Sequence, residues 1–327
     1  MNYTMQNFLS FLGKVKKLLP LTACLLLVSF IPMKENKTTK AGLKMQEFVI
    51  NISKYARSFD ADFILIPQNG AELAFEKLNP NAKKNMAYLN AIDGIAVEDL
   101  FYNQKLKTDN YRLKMFQKIK SDKKVLVSDF ISDPKTVEIV EEKNKQEGFL
   151  FLPRTASNEH YKEIPAAVPN ENAENIIALK DAKNYLYLLN AENFKTKAKY
   201  LNAIAATNYD VIVIDLFYDE VPLSAKEVES VRTKANGGKR LVISYINIGA
   251  AENWRYYWNG NWILNDPVWI KKKYAGYADE FYVQFWHADW QKIIYGNEQS
   301  YVKKIVDSGF DGAFLDNVEA FYFLYNN

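Results

Sequence analysis

Short, continuous apolar runs recur along the chain after residue 40, and segments with helical periodicity separate them. Runs without polar alternation are typical of parallel strands that are covered on both faces. Eight such strands alternating with helices predict an α/β fold of the (β/α)8 TIM-barrel type, with a doubly wound open sheet as the alternative. The predicted strands are DFILIP (62–67), DGIAVE (93–98), KVLVSD (124–129), YLYLLN (185–190), DVIVID (210–215), RLVISYI (240–246), EFYVQFW (280–286) and DGAFLD (311–316).

One segment interrupts this alternation. Residues 153–181 contain three prolines and many Asn and Glu residues, and they show no sustained period, which is typical of a linker. Three predicted strands precede this segment and five come after it, so neither part forms a complete sheet. We therefore expect residues 41–327 to form a single barrel domain, with residues 153–181 joining its parts 41–152 and 182–327.

The composition excludes several classes of protein. A chain of 327 residues that is 48% hydrophobic can bury one large core. Its net charge is only +3, and its basic residues are scattered among acidic ones, so we expect no nucleic-acid partner. One Cys and two His cannot build an ordinary zinc site. Dinucleotide-binding, P-loop and nucleophile-elbow motifs are absent from the sequence, so we expect no cofactor, and we expect a monomer.

The N-terminus has the order of a secretory signal. Three lysines, at positions 14, 16 and 17, precede the apolar run LLPLTACLLLVSFI at 18–31. Fourteen residues are short for a membrane span, which takes about 20. We expect residues 1–40 to be a signal peptide or anchor plus a short linker, giving a secreted, periplasmic or surface-anchored bacterial protein that touches the membrane only there. Cys24 ends a lipobox-like LTAC, but the apolar run continues past it, which disfavours lipidation.

A repeated pattern of acids indicates where the chemistry lies. Three predicted strands carry Asp at their start and an acid five residues later: Asp93 and Glu98, Asp210 and Asp215, Asp311 and Asp316. Four intervening residues would cross the barrel wall, so the second acid would emerge at the strand's C-terminal end, where barrel active sites lie. A single copy is more simply explained as a turn with a helix-capping acid. Three copies on one rim favour an active site.

Further polar and aromatic residues lie near the same predicted rim. Gln68 and Asn69 come directly after one strand, and Glu252 comes after another, beyond Gly249. All six Trp residues lie between 254 and 290, and Trp faces stack on sugar rings, although some of them should pack against helices. His287, directly after Trp286, either contacts substrate or caps an element. Abundant carboxylates and scarce His favour paired-acid catalysis on a glycosidic bond.

These segments resemble glycoside hydrolase family 114, the endo-α-1,4-polygalactosaminidases and their bacterial relatives. VIDLFYD, SYINIGAAENWRYYW, YVQFWHADWQKII and GFDGAFLDNVEAF are similar to the N-terminal portion of that family. FILIPQNGAEL, IDGIAVEDLFY and KVLVSDFISD are similar to the C-terminal portion of the family, yet here they come first. The resemblance implies a circular permutation in which strands one to five begin at 185, 210, 240, 280 and 311, strands six to eight begin at 62, 93 and 124, and residues 41–59 form the helix after strand five.

The resemblance also implies roles for individual residues. Asp316 would be the nucleophile and Glu98 the acid/base of a retaining mechanism, with Glu319 as a rival carboxylate close to Asp316. The distance between the carboxyls, which separates retaining from inverting enzymes, does not follow from the sequence. The implied substrate is a polysaccharide, such as a galactosamine polymer; a glycan-binding protein and a carboxylate–metal barrel enzyme are alternatives. The expected substrate-binding or pKa-tuning residues are Asp215, Tyr245, Glu252, Trp286, Asn69, Tyr102, Tyr218 and Asn317.

Overall fold

The structure is a computed structural model that describes residues 36–155 and 160–325, so the signal-like segment at 14–31 lies outside the described residues. In the described part, the α-helices are α1 (Lys37–Arg57), α2 (Met86–Ala91), α3 (Asn110–Ile119), α4 (Pro134–Glu147), α5 (Lys197–Ala205), α6 (Ala225–Ser230), α7 (Ala288–Ile294), α8 (Tyr301–Asp307) and α9 (Ala320–Phe323). None of these described helices is both long and apolar enough to cross a bilayer.

The strands of the same residues are mostly short. They are β1 (Ile64–Pro67), β2 (Gly94–Glu98), β3 (Tyr102–Asn103), β4 (Lys105–Leu106), β5 (Lys124–Phe130), β6 (Leu150–Arg154), β7 (Tyr185–Leu188), β8 (Val211–Asp215), β9 (Phe217–Tyr218), β10 (Val221–Pro222), β11 (Leu241–Asn247), β12 (Ala250–Glu252), β13 (Ile270–Lys273), β14 (Glu280–Val283) and β15 (Gly312–Asp316).

Local capping chemistry explains where the helices begin. The Asp133 side chain accepts a hydrogen bond from the Thr136 backbone N–H, and Pro134 opens α4 with its fixed φ. Ser224 and Glu227 cap each other's backbone N–H groups at α6, which is a capping box. Gly148 ends α4 in the left-handed conformation that glycine adopts without steric cost.

Two parallel sheets organise the fold, so the predicted α/β class with parallel strands is confirmed. One sheet has the order β1-β15-β11-β8-β7, and the other has the order β2-β5-β6. A parallel bridge between Gln68 and Ala96 links β1 to β2, and the Asn69 N–H donates to the Ala96 carbonyl at 2.8 Å. The opposite edges, β6 and β7, lie beside each other. The carboxyl ends of all eight strands therefore face the same side.

The prediction of a parallel strand at 280–286 is wrong. Instead, β14 pairs antiparallel with β12 and β13 in a separate three-stranded sheet. The eighth parallel strand is β6, which the sequence pattern does not reveal because Pro153 falls in the predicted linker; that linker starts two residues too early. Proline is tolerated there because β6 ends its hydrogen-bonded sheet. As a result β15 pairs directly with β11 and is the fourth parallel strand counted from β7, not the fifth.

The first Asp of each repeated pattern has a structural role at the N-terminal side of the sheet. Each carboxylate accepts a hydrogen bond from a backbone N–H at the start of a neighbouring strand: Leu65, Lys183 or Val242, at 2.7–2.8 Å. Each also binds a cationic side chain that neutralises it. The ion pairs are Asp93 with Arg57, Asp210 with Lys234 and Asp311 with Arg232.

The last described residues lie against the first described helix. After β15 the chain forms α9, which packs on α1. A Cβ atom placed on Gly42 of α1 would lie 3.2 Å from the Phe321 ring, so this glycine permits the close approach. The Lys37 ammonium lies 5.9 Å from the centre of the Tyr325 ring. The run from Asn317 onwards thus leads towards the start of α1, which connects onward to β1.

Candidate active site

A cavity of about 1250 Å³ opens at the C-terminal ends of the parallel strands. Each contributing strand ends in a residue whose side chain can reach this opening, because residues at strand ends project past the last ladder hydrogen bonds. The volume exceeds the roughly 300–1,000 Å³ typical of small-molecule sites, which suits an extended ligand. The strand-end residues Glu98, Arg154, Asp215 and Asp316 lie in its lining, and so does Tyr245, two residues before the end of β11.

The structure brings most of the sequence-predicted site residues into this cavity. The predicted residues in its lining are Glu98, Asp316, Asp215, Tyr245, Glu252, Asn69, Tyr218 and Asn317, together with the rival Glu319. Gln68 also lines it, and the Tyr187 hydroxyl donates a hydrogen bond to its side-chain oxygen at 3.1 Å. The motif spacing thus places the second acid of each repeated pattern at one opening.

Two predicted substrate contacts, Trp286 and Tyr102, need correction, since neither belongs to the described cavity lining. Trp286 comes after β14, which is not one of the parallel strands, and its ring stacks on Tyr325 while the Lys44 ammonium lies 5.2 Å from the ring centre. Tyr102 lies in the β3–β4 hairpin, and its hydroxyl turns back to donate to the Gln104 carbonyl. Both positions follow from strand connections that the sequence pattern did not reveal.

Asp316 lies at the end of β15 and receives hydrogen bonds from neutral donors. The Tyr245 hydroxyl donates to Oδ2 at 2.7 Å, and the Asn317 backbone N–H donates to Oδ1 at 2.7 Å. Burial raises the pKa of Asp316 to about 6; these two hydrogen bonds act to lower it, and the nearby Glu98 and Glu252 charges act to raise it. The carboxylate is therefore oriented, ionised at neutral pH and without a cation directly bound.

Glu98, at the end of β2, has a different environment. An Arg154 guanidinium nitrogen lies 3.0 Å from its Oε1, and the Tyr161 hydroxyl hydrogen-bonds to the same oxygen. The guanidinium also lies over the Tyr161 ring, 4.3 Å from its centre. The Glu98 side chain remains 30% exposed, so both solvent and a ligand can reach it. Glu98 thus has an arginine and a tyrosine hydroxyl as direct partners at the cavity.

Arg255 holds two other acids in a buried cluster. Its guanidinium binds both oxygens of Asp215, at 2.9 and 2.7 Å, and its Nε donates to Glu252 at 2.7 Å. Only 2% of the Arg255 side chain is exposed. Burial raises the pKa of Glu252, whereas the Arg255 charge lowers it and the Asp215 charge raises it. One arginine thus fixes the geometry of two carboxylates on the cavity wall.

Two further acids form no ion pair within the described part of the chain and have strongly raised pKa values. Burial, followed by the charges of Glu252 and Asp316, raises the pKa of Glu280 to about 8. Burial and the Asp316 charge raise the pKa of Glu319 to about 8. Both carboxyls are therefore largely protonated at neutral pH. Within residues 36–155 and 160–325, no three His, Cys, Asp or Glu side chains form a group suited to a metal ion.

Aromatic residues supply the apolar part of the cavity. Trp254 lies over Arg255, with the guanidinium carbon 3.9 Å from the ring centre, and 49% of the residue is exposed. Four of the six Trp residues pack with one another beside β13 and α7, in the order 258, 262, 269 and 290. His287 caps α7 by accepting the Asp289 backbone N–H. His160 is exposed at the cavity edge.

Sequence reasoning missed the partners of the acids. Arg154 lies on the unpredicted strand β6, and Tyr161 belongs to the predicted linker. Arg255 lies three residues after Glu252 within NWRYYW, a spacing that could have indicated an ion pair across one turn. Glu280 begins β14 and faces the cavity only because that strand pairs with β12. None of these contacts is visible in the apolar periodicity.

Each comparison with known proteins covers about half of the chain or less. Residues 167–327 match the model of the glycoside-hydrolase family GH114. An uncharacterized protein of Methanocaldococcus jannaschii is 33% identical over 156 residues, 48% of this chain and 43% of the relative. An uncharacterized protein of Thermotoga maritima is 28% identical over 118 residues, 36% of this chain and 35% of the relative. An uncharacterized protein of Deinococcus radiodurans is 32% identical over 122 residues, 37% of this chain and 37% of the relative. The chain spans less than half of each of these relatives.

Proposed function

The chain belongs to glycoside hydrolase family 114 through residues 167–327, and on that premise we propose that it is a glycoside hydrolase that cleaves a polysaccharide at internal bonds. The observation that carries the proposal is the cavity at the strand ends, where Asp316 and Glu98 line one opening. Its large volume and exposed Trp254 suit a chain of sugar rings better than a single small molecule.

In the proposed reaction, Asp316 is the nucleophile and Glu98 the acid/base of a retaining mechanism. The Tyr245 hydroxyl and the Asn317 N–H hold the Asp316 carboxylate in one orientation, as attack on the anomeric carbon requires. The two acids end strands that only β1 separates, and the Glu98 charge contributes to the pKa of Asp316, which supports their closeness. Strands two ladder steps apart lie about 10 Å apart at the backbone, and inward convergence at the mouth would bring the carboxyls towards the roughly 5–5.5 Å of retaining enzymes.

Glu98 has to change its protonation state during this cycle. In the first step it passes its proton to the leaving oxygen and becomes a carboxylate, which Arg154 and Tyr161 are placed to bind. In the second step that carboxylate takes a proton from the attacking water, which returns Glu98 to its starting state. Tyr161 lies at the cavity surface, where a sugar hydroxyl can replace its hydrogen bond.

We propose a galactosamine-containing polymer with free amino groups as the substrate. Ammonium groups would be attracted by the acidic residues that line the mouth, and the hairpin tip formed by Asp219 and Glu220 carries two of them. Asp99 is a further acid in the lining, and the ion pairs of Arg154 and Arg255 do not include it. Neutral polysaccharides would gain nothing from these charges, so a comparison of the two polymer classes tests the assignment.

The test is the release of reducing ends from a panel of amino-sugar and neutral polysaccharides. We expect Asp316→Asn and Glu98→Gln each to lower turnover by at least about 100-fold, because each removes a group that takes part in bond cleavage. Asp289→Asn and Glu298→Gln are matched controls, since these side chains are mostly exposed outside the cavity. Near wild-type turnover in either cavity variant, or saturable binding without new reducing ends, would refute the proposed activity.

We further propose that the eight parallel strands close into a circularly permuted (β/α)8 barrel. The hydrogen bonds between β1 and β2, the contact between β6 and β7, and the proximity of Tyr325 to Lys37 support this arrangement. A variant that joins residue 327 to residue 36 through a short linker and begins at residue 160 should fold and melt within a few degrees of the original. A control joined in the same way but opened at Ser244, inside β11, should not fold; similar behaviour of both would contradict the proposal.

Export is proposed from residues 1–40, whose basic and apolar order is that of a signal peptide. N-terminal sequencing of protein recovered from the medium or the cell envelope tests it. A product that starts beyond the apolar run at 18–31 is expected. Retention of the complete N-terminus in the cytoplasm would contradict export, and labelling of Cys24 by a fatty-acid probe would instead favour a lipid anchor.

A further inference from the structure

Asn69 and Glu319 form a side-chain contact in the cavity lining that leaves two buried oxygen atoms without a hydrogen-bond partner among the described residues. The Asn69 amide nitrogen donates to Glu319 Oε1 at 3.0 Å. Asn69 Oδ1 and Glu319 Oε2, the other two atoms of this pair, are buried and have no hydrogen-bond partner among the described residues. Buried polar atoms in folded proteins are almost always paired, so two orphans belonging to one amide–carboxyl contact call for a common explanation.

The backbone holds this contact in place. Asn69 comes after β1 with a φ of 64°, in the left-handed region that is sparsely populated outside glycine. Asn317, beside Asp316, has a φ of 58°. Strained backbone of this kind persists where the surroundings determine it, and it is concentrated at functional sites. Asn69 is thus fixed opposite Glu319, three residues beyond Asp316.

The charges around Glu319 are mainly acidic. Asp316 on β15 and Glu98 on β2 both raise its pKa, after burial as the larger cause, while the Asn69 amide and its own backbone N–H lower it. The Glu319 charge also raises the pKa of three tyrosines on other elements. They are Tyr274 after β13, Tyr282 on β14 and Tyr322 on α9. Among the described residues, no Lys, Arg or His forms an ion pair with Glu319, whereas Glu98 and Glu252 each have an arginine.

We propose that Glu319 is held as a neutral carboxylic acid in a reciprocal pair with Asn69, and that this pair positions Asp316 as the ionised acid beside it. In the pair, Asn69 Nδ2–H donates to Glu319 Oε1, and Glu319 Oε2–H donates to Asn69 Oδ1. A neutral acid supplies the donor that a carboxylate lacks, so one proton satisfies both orphan atoms. Like charges at one site cannot both ionise freely, so protonation of Glu319 leaves the negative charge on Asp316.

The claim that this pair positions Asp316 for catalysis rests on the proposed glycoside hydrolase function. The protonation of Glu319 does not depend on that function. Glu319 acts here through Asp316 and is a positioning residue. Its proton stays on the Glu319–Asn69 pair during the reaction, while Glu98 exchanges protons with substrate and water. This separation distinguishes Glu319 from a second acid catalyst.

Infrared difference spectroscopy of the full-length protein tests the protonation directly. Between about pH 6 and about pH 9.5 the wild type should lose a carbonyl band of a protonated carboxyl, and Glu319→Gln should lack that component. Asn69→Leu should shift the band to higher wavenumber, because the acid loses its hydrogen-bonded amide. Glu280→Gln, whose carboxyl has a similar pKa on another wall, is the matched control and should keep the Glu319 band. A spectrum that is unchanged in Glu319→Gln would overturn the proposal, whether or not the protein hydrolyses polysaccharide.

The pH dependence of hydrolysis is the second readout. Above about pH 8, Glu319 would be ionised. Its carboxylate could then no longer donate to Asn69 Oδ1, and it would add a negative charge beside Asp316, so the wild-type rate should fall. The measured quantity is the rate at about pH 9 divided by the rate at about pH 7. In Glu319→Gln this ratio should be roughly tenfold higher than in the wild type, since one pH unit corresponds to a tenfold change in ionisation. An unchanged ratio would contradict the positioning role. The same ratio change in Glu280→Gln alone would assign the alkaline limb to Glu280 and also overturn it.

Discussion

Replacement of Arg255 by Met should destabilise the protein because it removes the cation from the buried cluster with Asp215 and Glu252. The exposed fractions of the three side chains are 2%, 11% and 4%, so solvent screens the ion pairs little. Breaking a buried ion pair by removing one partner typically costs about 3–5 kcal/mol, because the remaining charge stays buried without compensation. We expect a loss of that size in the free energy of unfolding at pH 7, since Met keeps most of the volume.

Urea unfolding monitored by circular dichroism measures this loss, with the slope against urea concentration as a check on two-state behaviour. The matched control is the triple variant Arg255→Met, Asp215→Asn, Glu252→Gln, in which the buried charges are removed together. Replacement of a whole buried ionic cluster by neutral groups is often close to neutral in stability, so the triple variant should recover about half or more of the loss. A single variant that loses less than about 1 kcal/mol would refute the argument.

The sign of the pH dependence gives an independent check. The Arg255 charge lowers the pKa of Glu252, whereas burial and the Asp215 charge raise it. Removal of Arg255 should therefore raise the pKa of Glu252 further. A carboxyl whose folded pKa lies above its unfolded value binds more protons in the folded state, so stability falls as pH rises through that window. The single variant should therefore lose less stability at about pH 5 than at pH 7. A larger loss at the lower pH would contradict the assigned electrostatics.

Three further outcomes are expected. Because burial raises the pKa of Asp316 to about 6, kcat/KM measured against pH should decline about tenfold per unit below that value, and a plateau down to about pH 4 would exclude Asp316 as the ionised nucleophile. Trp254→Ala should raise KM for polymer up to about tenfold with little change in kcat, whereas Trp286→Ala, outside the cavity, should leave KM unaltered. Asp311→Asn should lower the free energy of unfolding by about 1–3 kcal/mol without changing turnover per folded molecule, because it weakens the Arg232 pair far from the cavity.

The parallel strands could be predicted because each is a short apolar run buried on both faces. The same criterion failed at EFYVQFW, since a strand of a small antiparallel sheet can be as apolar as a buried parallel strand. It also failed at LFLPR, where Pro153 suggested a linker although the strand lies at a sheet edge. Hydrogen-bond partners, not apolar content, distinguish these two segments, and a single sequence does not reveal the partners.

The positions of the acids could be predicted from strand length, because the five-residue strands 94–98 and 312–316, which directly follow Asp93 and Asp311, span the sheet and end at Glu98 and Asp316. Their charge states could not. These depend on Arg154, which lies on the missed strand, and on Arg255, which reaches Asp215 across 40 positions. Neighbours brought together by folding therefore decide which carboxylates stay ionised.

The repeated spacing has a consequence for the electrostatics of the whole site. Strands of equal length place their second acids at one rim, where like charges oppose one another, and the fold relieves this opposition in different ways. Arginines neutralise three acids: Arg154 pairs with Glu98, and Arg255 pairs with Asp215 and Glu252. Burial favours protonation of two more, Glu280 and Glu319. Neutral donors, Tyr245 and Asn317, orient the last acid, Asp316. Of these six acids, Asp316 alone combines an ionised carboxylate at neutral pH with no directly bound cation. A carboxylate in that state keeps its electron pair available to a developing oxocarbenium ion, which is the physical reason for proposing Asp316, at the end of β15, as the nucleophile.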